Sequence, residues 1–454
     1  MTIELTHHWA GYTALAVFCL ALILVILEEF TGLRKSKPML LAAGIIWGLI
    51  AWQAVSIGNS AAIEPALRVH LLHYMELMLL ILVVMTYVNA LGERHVFRVL
   101  RAWIGRKGYS YRQVFWLTGT ATFLLSPFLN NLATSLLLGA VILGIGVHNK
   151  RFIALGCLNI VLAANAGGTF SPFGDFTTLL VWLQNIQTPQ GTVEFSSFFH
   201  LVVPALIGYL IPATALYFSL PRGRIEQTPE RIRMRRGASR IMLLFVLTIT
   251  TAVLFRGLLD MPVAIGMLTG LSFLQIFGFY LKRTHYLHKS DNRFEESLTL
   301  PLPSESRSPF DVFAMVSRAE WDTLLFLYGI SLAVGGLGYL GYLELASHTL
   351  YGGLGANTSN VLVGLSSAFL DNIPVMYAVV GMSPSMSQGQ WLLVTLTTGL
   401  GGSLLSIGSA AGVALTGYAK GKYTFFTHLR WTPVIALGFV ASVLSHHWLN
   451  SILF

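Results

Sequence analysis

The sequence predicts an all-α polytopic membrane protein made of inverted repeats, each holding a re-entrant helical hairpin and a discontinuous transmembrane helix. Three observations point there. Of the 454 residues, 54% are hydrophobic and only 11% are Asp, Glu, Lys or Arg, where an average soluble domain carries roughly 25% charged residues. The apolar residues gather in runs of about 20, the length of helix that crosses a bilayer. Two short polar motifs also recur, in the same order, in the second half of the chain.

Taken in order, uninterrupted apolar runs cover 9–27, 39–57, 71–91, 198–220, 241–255, 262–281, 321–343 and 431–454. Four further regions, 112–147, 152–186, 360–382 and 391–419, are apolar but broken in the middle by Gly, Pro, Asn, Ser or Asp. Lipid tolerates such breaks only where protein or a water-filled cavity satisfies the freed backbone groups. We expect hairpins at 112–147 and 360–382 and broken helices at 152–186 and 391–419. The chain then divides into N-terminal scaffold helices (1–70), a first repeat (71–220), a segment with a basic loop, two transmembrane helices and a polar cytoplasmic loop (221–320), and a second repeat (321–454).

Charge supplies the orientation. Short loops rich in Lys and Arg stay in the cytoplasm, which places Arg34, Lys35 and Lys37 inside and the N-terminus outside. The clusters Arg94–Arg112, Lys150 and Arg151, Arg222–Arg240, and Lys282 with Arg283 all fall on the same side, whereas the loop at 188–194 has no Lys or Arg. The net charge of +9 lies in these clusters, so it reads as orientation signal, and no nucleic-acid partner is expected; the partner is the lipid bilayer. The polar, Ser- and Pro-containing stretch from Lys282 to Arg318 is expected to be partly disordered. Cys19 and Cys157 sit in apolar runs without partner spacing and are expected to be packing residues. No basic n-region or cleavage site precedes the first run, which is expected to be a retained helix.

The repeat is visible as residues. Phe128-Leu129-Asn130-Asn131-Leu132 aligns with Phe369-Leu370-Asp371-Asn372-Ile373 at an offset of 241 (369 minus 128). Gly167-Gly168-Thr169 with Phe173-Gly174-Asp175 aligns with Gly401-Gly402-Ser403 and Ile407-Gly408-Ser409 at an offset of 234 (401 minus 167). Two hairpins from opposite faces, each followed by a broken helix, describe an inverted repeat.

Burying an ionised carboxylate costs several kcal/mol unless it is paired, hydrated or metal-bound. That singles out Asp175, Asp371 and Glu76, the acids deep in apolar context, while Glu28, Glu29, Asp322 and Glu344 read as interfacial. Around Asp175 and Asp371 stand the neutral oxygens of Asn131, Asn165, Asn372, Ser171, Thr177, Thr178, Ser367, Ser406 and Ser409. Hard cations prefer oxygen ligands, and unwound Gly-Gly stretches add free carbonyls. The pattern suits Na⁺ or Li⁺, with Asp175, Asn131 and Asn372 as the first candidates to hold Na⁺. The small residues between Gly401 and Gly412 serve helix packing equally well. Glu76 could instead pair with His70 or His73, and the His7-His8 and His446-His447 pairs read as interfacial. The Lys/Arg-bordering His148, His285 and His288 read as solvated. No phosphate-binding loop, paired metal-ligand His spacing or nucleophile elbow occurs, so the chain reads as a secondary transporter and not an enzyme, with no cofactor.

Four blocks now carry a resemblance: Ser126–Thr134, Asn165–Thr178, Ser367–Pro374 and Gly401–Gly412. With Met85-Thr86-Tyr87-Val88-Asn89-Ala90 they resemble the NhaD-type sodium/proton antiporters of the ion-transporter superfamily. The resemblance implies exchange of Na⁺ or Li⁺ for H⁺, a bacterial inner membrane and a homodimer. It implies a transport role for Asn131, Asn165, Asp175, Thr177, Ser367, Asn372, Ser406 and Ser409. One position departs: the first hairpin tip of such antiporters usually reads Asp-Asn, and here it is Asn130-Asn131. A desolvated carboxylate favours its proton and a bound cation displaces it, so the two ions would compete at Asp175, assisted by Asp371. The rival from the same fold is a transporter of an anion such as a dicarboxylate, arsenite or sulfate. Against it stand the acids at the broken helix and the second tip, where an anion would favour helix N-termini and basic or hydroxyl groups. A non-transporting membrane scaffold has no need of acids at broken helices.

Overall fold

Because every run of about 20 apolar residues must satisfy its own backbone in lipid, the chain folds almost entirely as helix. The computed structural model describes residues 5–58, 61, 63–146, 149–225, 232–284 and 310–454. His148, Arg231, His285, His288 and the Ser- and Pro-containing part of the 282–318 loop lie outside them. In chain order the first helices are α1 (Trp9–Ile26), α2 (Ser36–Ile57), α3 (Ile63–Glu93) and α4 (Val96–Arg106). Next come α5 (Tyr111–Leu129), α6 (Asn131–Ile145), α7 (Lys150–Gly168), α8 (Phe176–Leu183) and α9 (Val202–Phe218). The middle of the chain adds α10 (Ala238–Leu259), α11 (Val263–Thr284) and α12 (Val312–Ser317). The rest comprises α13 (Trp321–Tyr339), α14 (Tyr342–Ser347), α15 (Ala356–Leu370), α16 (Asn372–Met382), α17 (Gln388–Gly401), α18 (Ala410–Tyr418), α19 (Phe425–Leu429) and α20 (Thr432–Leu449). Among the described residues, nine helical stretches are long and apolar enough to cross a membrane.

Several bounds differ from the sequence reading. The third run, read as 71–91, extends to Ile63–Glu93 because Glu64, Arg68 and the flanking polar residues continue the helix beyond the apolar core. The basic segment after it is not a plain loop: Val96, Val99, Leu100 and Trp103 alternate with Arg98 and Arg101 at helical spacing and form α4. The run read as 321–343 ends its helix at Tyr339, and residues 342–352, of which 344–352 were unassigned in the sequence, form α14 and a π-helical turn, His348–Gly352. Two strands pair antiparallel at Gln187–Thr188 and Gly191–Thr192, in the loop that carries no Lys or Arg. The second hairpin begins four residues earlier than read, at Ala356, and the second broken helix three earlier, at Gln388.

Two compact units form. The first contains Met1–Tyr74, Ile104–Pro229 and Trp321–Phe454. At its centre α7 and α17 are buried on every side, with nearly every residue of each covered by protein, whereas α1 and α20 bury about a third of their length and turn the rest outward. Burial by protein all round, together with Asn159, Asn165, Thr395, Thr397 and Thr398 inside those helices, marks α7 and α17 as the polar-bearing core. Around them α13 crosses α2, where Trp47 donates to the Leu332 carbonyl, and α9 lies against α20, where Ser442 donates to the Pro204 carbonyl. His446 is fully buried and hydrogen-bonds the Gly389 carbonyl and Asn450, which corrects its interfacial reading. Cys157 is buried as expected, and Cys19 is exposed on the outer face of α1 instead of packed.

The second unit contains Met75–Trp103 and Glu230–Glu320. Here Tyr87 donates to the Gly270 carbonyl and receives the Thr248 hydroxyl, tying α3 to α10 and α11. Asn89 donates to Met315 in α12. Burial, with Arg235, Arg98 and Arg94 nearby, lowers the His95 imidazole to about 4.

Candidate functional site

Position along α7 shows how the first hairpin runs. Tyr111 stacks on Phe152 and Phe115 accepts from Asn159, so α5 runs parallel to α7. Gly156 lies against Ile142 and Gly168 against Asn131, so α6 runs back. The reversal occurs at Asn130, with φ 61° and ψ 161°, a region that non-glycine residues adopt at a cost of about 1–3 kcal/mol. The second reversal, at Asp371, has nearly the same angles, φ 64° and ψ 149°. Strain repeated at two aligned positions is a property of the device, and in each case it delivers the following Asn to the interior.

Each broken helix crosses beside a hairpin through contacts that match under the offsets above. Ser126 donates to the Ala164 carbonyl at 2.7 Å, and its counterpart Ser367 donates to Thr398, the counterpart of Ala164, at 2.9 Å. Gly174 has no room for a side chain: a Cβ there would lie 2.8 Å from Gly168 Cα and 2.9 Å from Pro127 Cα. Gly408 is equally confined, with Ala368 O at 2.6 Å and Ala368 Cα at 2.8 Å. After each crossing a polar residue caps the next helix, Asp175 toward the Thr177 N–H and Ser409 toward the Gly412 N–H.

Asp175 is the focus. Asn131, from the first tip, donates to its Oδ2 at 2.9 Å. Asn372, from the second tip, donates to Oδ1 at 3.0 Å and to Oδ2 at 3.1 Å, and the Thr177 N–H completes Oδ1 at 3.2 Å. All of these partners are neutral N–H groups, so the carboxylate is oriented without being neutralised. Next along, Asn165 donates to Ser403 at 2.8 Å and to Ser409 at 2.9 Å. Asn165 Oδ1, Thr177 Oγ1 and Ser406 Oγ are buried and have no hydrogen-bond partner among the described residues. A buried acceptor left unpaired costs about 1–3 kcal/mol, so each of these oxygens, like Asp175, is the kind of ligand a desolvated hard cation takes.

The remaining candidates have other duties. Ser171 donates to the Pro127 carbonyl at 2.8 Å and Thr178 to the Thr169 carbonyl at 3.4 Å, both latching the unwound stretch. Asn130 folds back to accept the Ala133 N–H. Ser367 is committed to the Gly364 and Thr398 carbonyls. Asp371 turns from Asp175 toward Lys35, whose Nζ lies 3.2 Å from its Oδ2. Lys35 is thus an ion-pair partner and not only an orientation signal. In the second unit Glu76 accepts the Val263 N–H at the start of α11. The sequence reading missed Lys35, Ser403 and Ser126; the repeat could have exposed Ser126 through Ser367, and nothing local exposes a pair separated as Lys35 and Asp371 are.

Beside the Lys35–Asp371 pair lies a cavity of about 240 Å³, lined by Glu28, Asp322, Leu132, Ile407 and Ala410 among others. Burial holds the Glu28 carboxyl above its usual range, against the pull of Lys35.

Comparison with known proteins adds an independent line. A family model described as a citrate transporter matches residues 11–399. A protein of Halomonas elongata named Na(+)/H(+) antiporter NhaD is 50% identical over 459 residues, 99% of this chain and 90% of that protein. One of the same name from Alkalimonas amylolytica is 51% identical over 100% of this chain and 93% of its own length. Sodium/proton antiporter 1 of Arabidopsis thaliana is 27% identical over 98% of this chain and 74% of its own.

Proposed function

Because this chain belongs to the NhaD family of sodium/proton antiporters, within the citrate-transporter family whose model covers most of it, we propose that it exchanges Na⁺ or Li⁺ for H⁺ at Asp175 by alternating access. It is a multi-pass membrane secondary transporter and not an enzyme. The observation that carries the site is the convergence of Asn131 and Asn372, one from each hairpin tip, on one buried carboxylate. A cation arriving there would find Asp175 already aimed, with the free oxygens of Asn165, Thr177 and Ser406 to replace its water. When the cation leaves, the carboxylate loses its only neutralising partner and takes a proton instead. One carboxylate holding one ion at a time couples the two fluxes.

We further propose that the matched reversals and crossings are the two halves of an inverted repeat, so that rocking them changes which face reaches Asp175. The charge pattern supports an N-terminus outside the bacterial inner membrane, and a homodimer is the assembly the resemblance favours. The anion reading is weaker: an anion would meet the uncompensated Asp175, and the relatives that share half their residues with this chain are named for Na⁺ and H⁺.

Dissipation of a preset pH gradient in proteoliposomes tests the proposal, with Na⁺, Li⁺ and K⁺ compared for the wild type and Asp175→Asn. Flux driven by Na⁺ or Li⁺ that is lost in the variant supports it. Folded wild-type protein without flux for any cation would return the anion reading to first place.

A further inference from the structure

We infer that Lys35 is a positioning residue for transport: its ammonium is the resident counter-ion of Asp371 and must yield that carboxylate to a cation approaching through the adjoining cavity. The inference rests on the exchange reading and identifies how its second acid is held.

Four observations carry it. Lys35 is deeply covered and reaches Asp371 Oδ2 at 3.2 Å, across 336 positions of sequence. Its ammonium also stands 4.7 Å from the centre of the Phe326 ring, an aromatic face that stabilises a cation without neutralising it. The cavity wall brings Glu28 from the turn after α1, Asp322 from the first turn of α13, and Asp371 around this one ammonium. Ser36, next in the chain, is hydrogen-bonded to Asp322, which fixes the segment that presents Lys35. A pocket with three carboxylates and one tethered cation concentrates small cations from water.

The pair also has a short connection to the site. Asp371 Oδ1 accepts the backbone N–H of Asn372 at 2.9 Å, while the Asn372 side chain donates to both oxygens of Asp175. Lys35, Asp371, Asn372 and Asp175 therefore form one line from the cavity to the candidate cation site. When Lys35 holds Asp371, the second tip is neutral and Asp175 keeps only its neutral N–H partners. When a cation takes the place of Lys35, that cation stands one residue from Asp175. A lysine that only braced the tip would affect stability and turnover, and would leave the affinity for Na⁺ unchanged.

The test is the apparent KM for Na⁺ in proteoliposomes, measured for the wild type, Lys35→Gln, Lys35→Arg, Asp371→Asn and the double variant Lys35→Gln/Asp371→Asn. Competition between Lys35 and Na⁺ predicts that Lys35→Gln lowers KM severalfold, that Asp371→Asn raises it by about tenfold, and that the double variant lies between them. Lys35→Arg, which keeps the charge, should remain within about twofold of the wild type. If Lys35→Gln does not yield folded protein, Asp371→Asn against the double variant decides, because removal of the stranded lysine should recover affinity. Unchanged KM in both single variants, or shifts of the same sign, would overturn the inference while leaving the exchange reading in place. Wild-type protein with no Na⁺-driven proton flux would overturn both.

Discussion

At the first hairpin tip Asn130 folds its carboxamide back onto the Ala133 N–H; at the second, Asp371 holds its carboxylate between the Asn372 N–H and the Lys35 ammonium. The backbone is nearly the same at both, φ 61° and 64°, and both pass an Asn side chain to Asp175. The reversal itself therefore has no need of a charge, because Asn130 achieves it with a neutral side chain. Charge at the second tip comes with a counter-ion supplied from the start of α2, and the first tip, which lacks the acid usual in the family it resembles, has no such lysine among its described partners. The difference teaches that the two tips share their geometry and not their electrostatics.

That account can be broken at several levels. The largest effects should come from Gly174→Ala and Gly408→Ala, where a methyl would meet backbone and not a yielding side chain. Each should cost more than the usual 1–3 kcal/mol or so of overpacking and abolish recovery of monodisperse protein. Tolerance at one site alone would show that the two crossings are not equivalent.

Asn130→Asp comes next, because it installs the family's usual acid without a lysine beside it. An unpaired Asp in the membrane interior costs roughly 2.5–3.5 kcal/mol, so thermal unfolding in detergent should show a clear fall in Tm. A Tm equal to that of the wild type would mean that the first tip has a counter-charge or water access not provided by its described neighbours.

Between the asparagines, Asn372→Ala should raise the apparent KM for Na⁺ more than Asn131→Ala, since Asn372 serves both oxygens of Asp175 and Asn131 serves one. Hydrogen bonds to a charged group contribute about 1.5–3 kcal/mol each, which corresponds to at least about tenfold for the former. Equal effects would remove the asymmetry. The smallest pair is Ser126→Ala and Ser367→Ala, each expected to lower stability by about 1 kcal/mol through the matched bonds to Ala164 and Thr398.

The membrane architecture was legible because lipid enforces long apolar runs and leaves breaks only where they are satisfied. Asn130 and Asp371 could be placed as tips from the repeated motif, whereas the unwinding expected at Gly167-Gly168 and Gly401-Gly402 starts one step later, because Gly168 and Gly401 still end their helices. Helix α4 was hidden by its arginines, since a basic loop and a basic amphipathic helix share the same composition and differ only in period. Asp175 was singled out through the cost of burying its charge and Asn131 and Asn372 through the repeat, and the structure brings the three together. That Asp371 pairs with a lysine was not legible. Asp371 has the same local sequence context as a ligand would, and its partner Lys35 belongs to a cluster with Arg34 and Lys37 whose orientation role accounts for all three. Ser403, in a stretch of small residues suited to packing, is set apart only by the Asn165 amide that reaches it.

The central claim is that Na⁺ and H⁺ share one carboxylate, and its most direct test is the apparent KM for Na⁺ measured across a range of pH in proteoliposomes. Competition at Asp175 predicts that, on the acidic side, KM rises by up to about tenfold for each unit of falling pH while the maximal rate at saturating Na⁺ stays constant. A KM independent of pH over that range would place the two ions at separate sites and contradict the account.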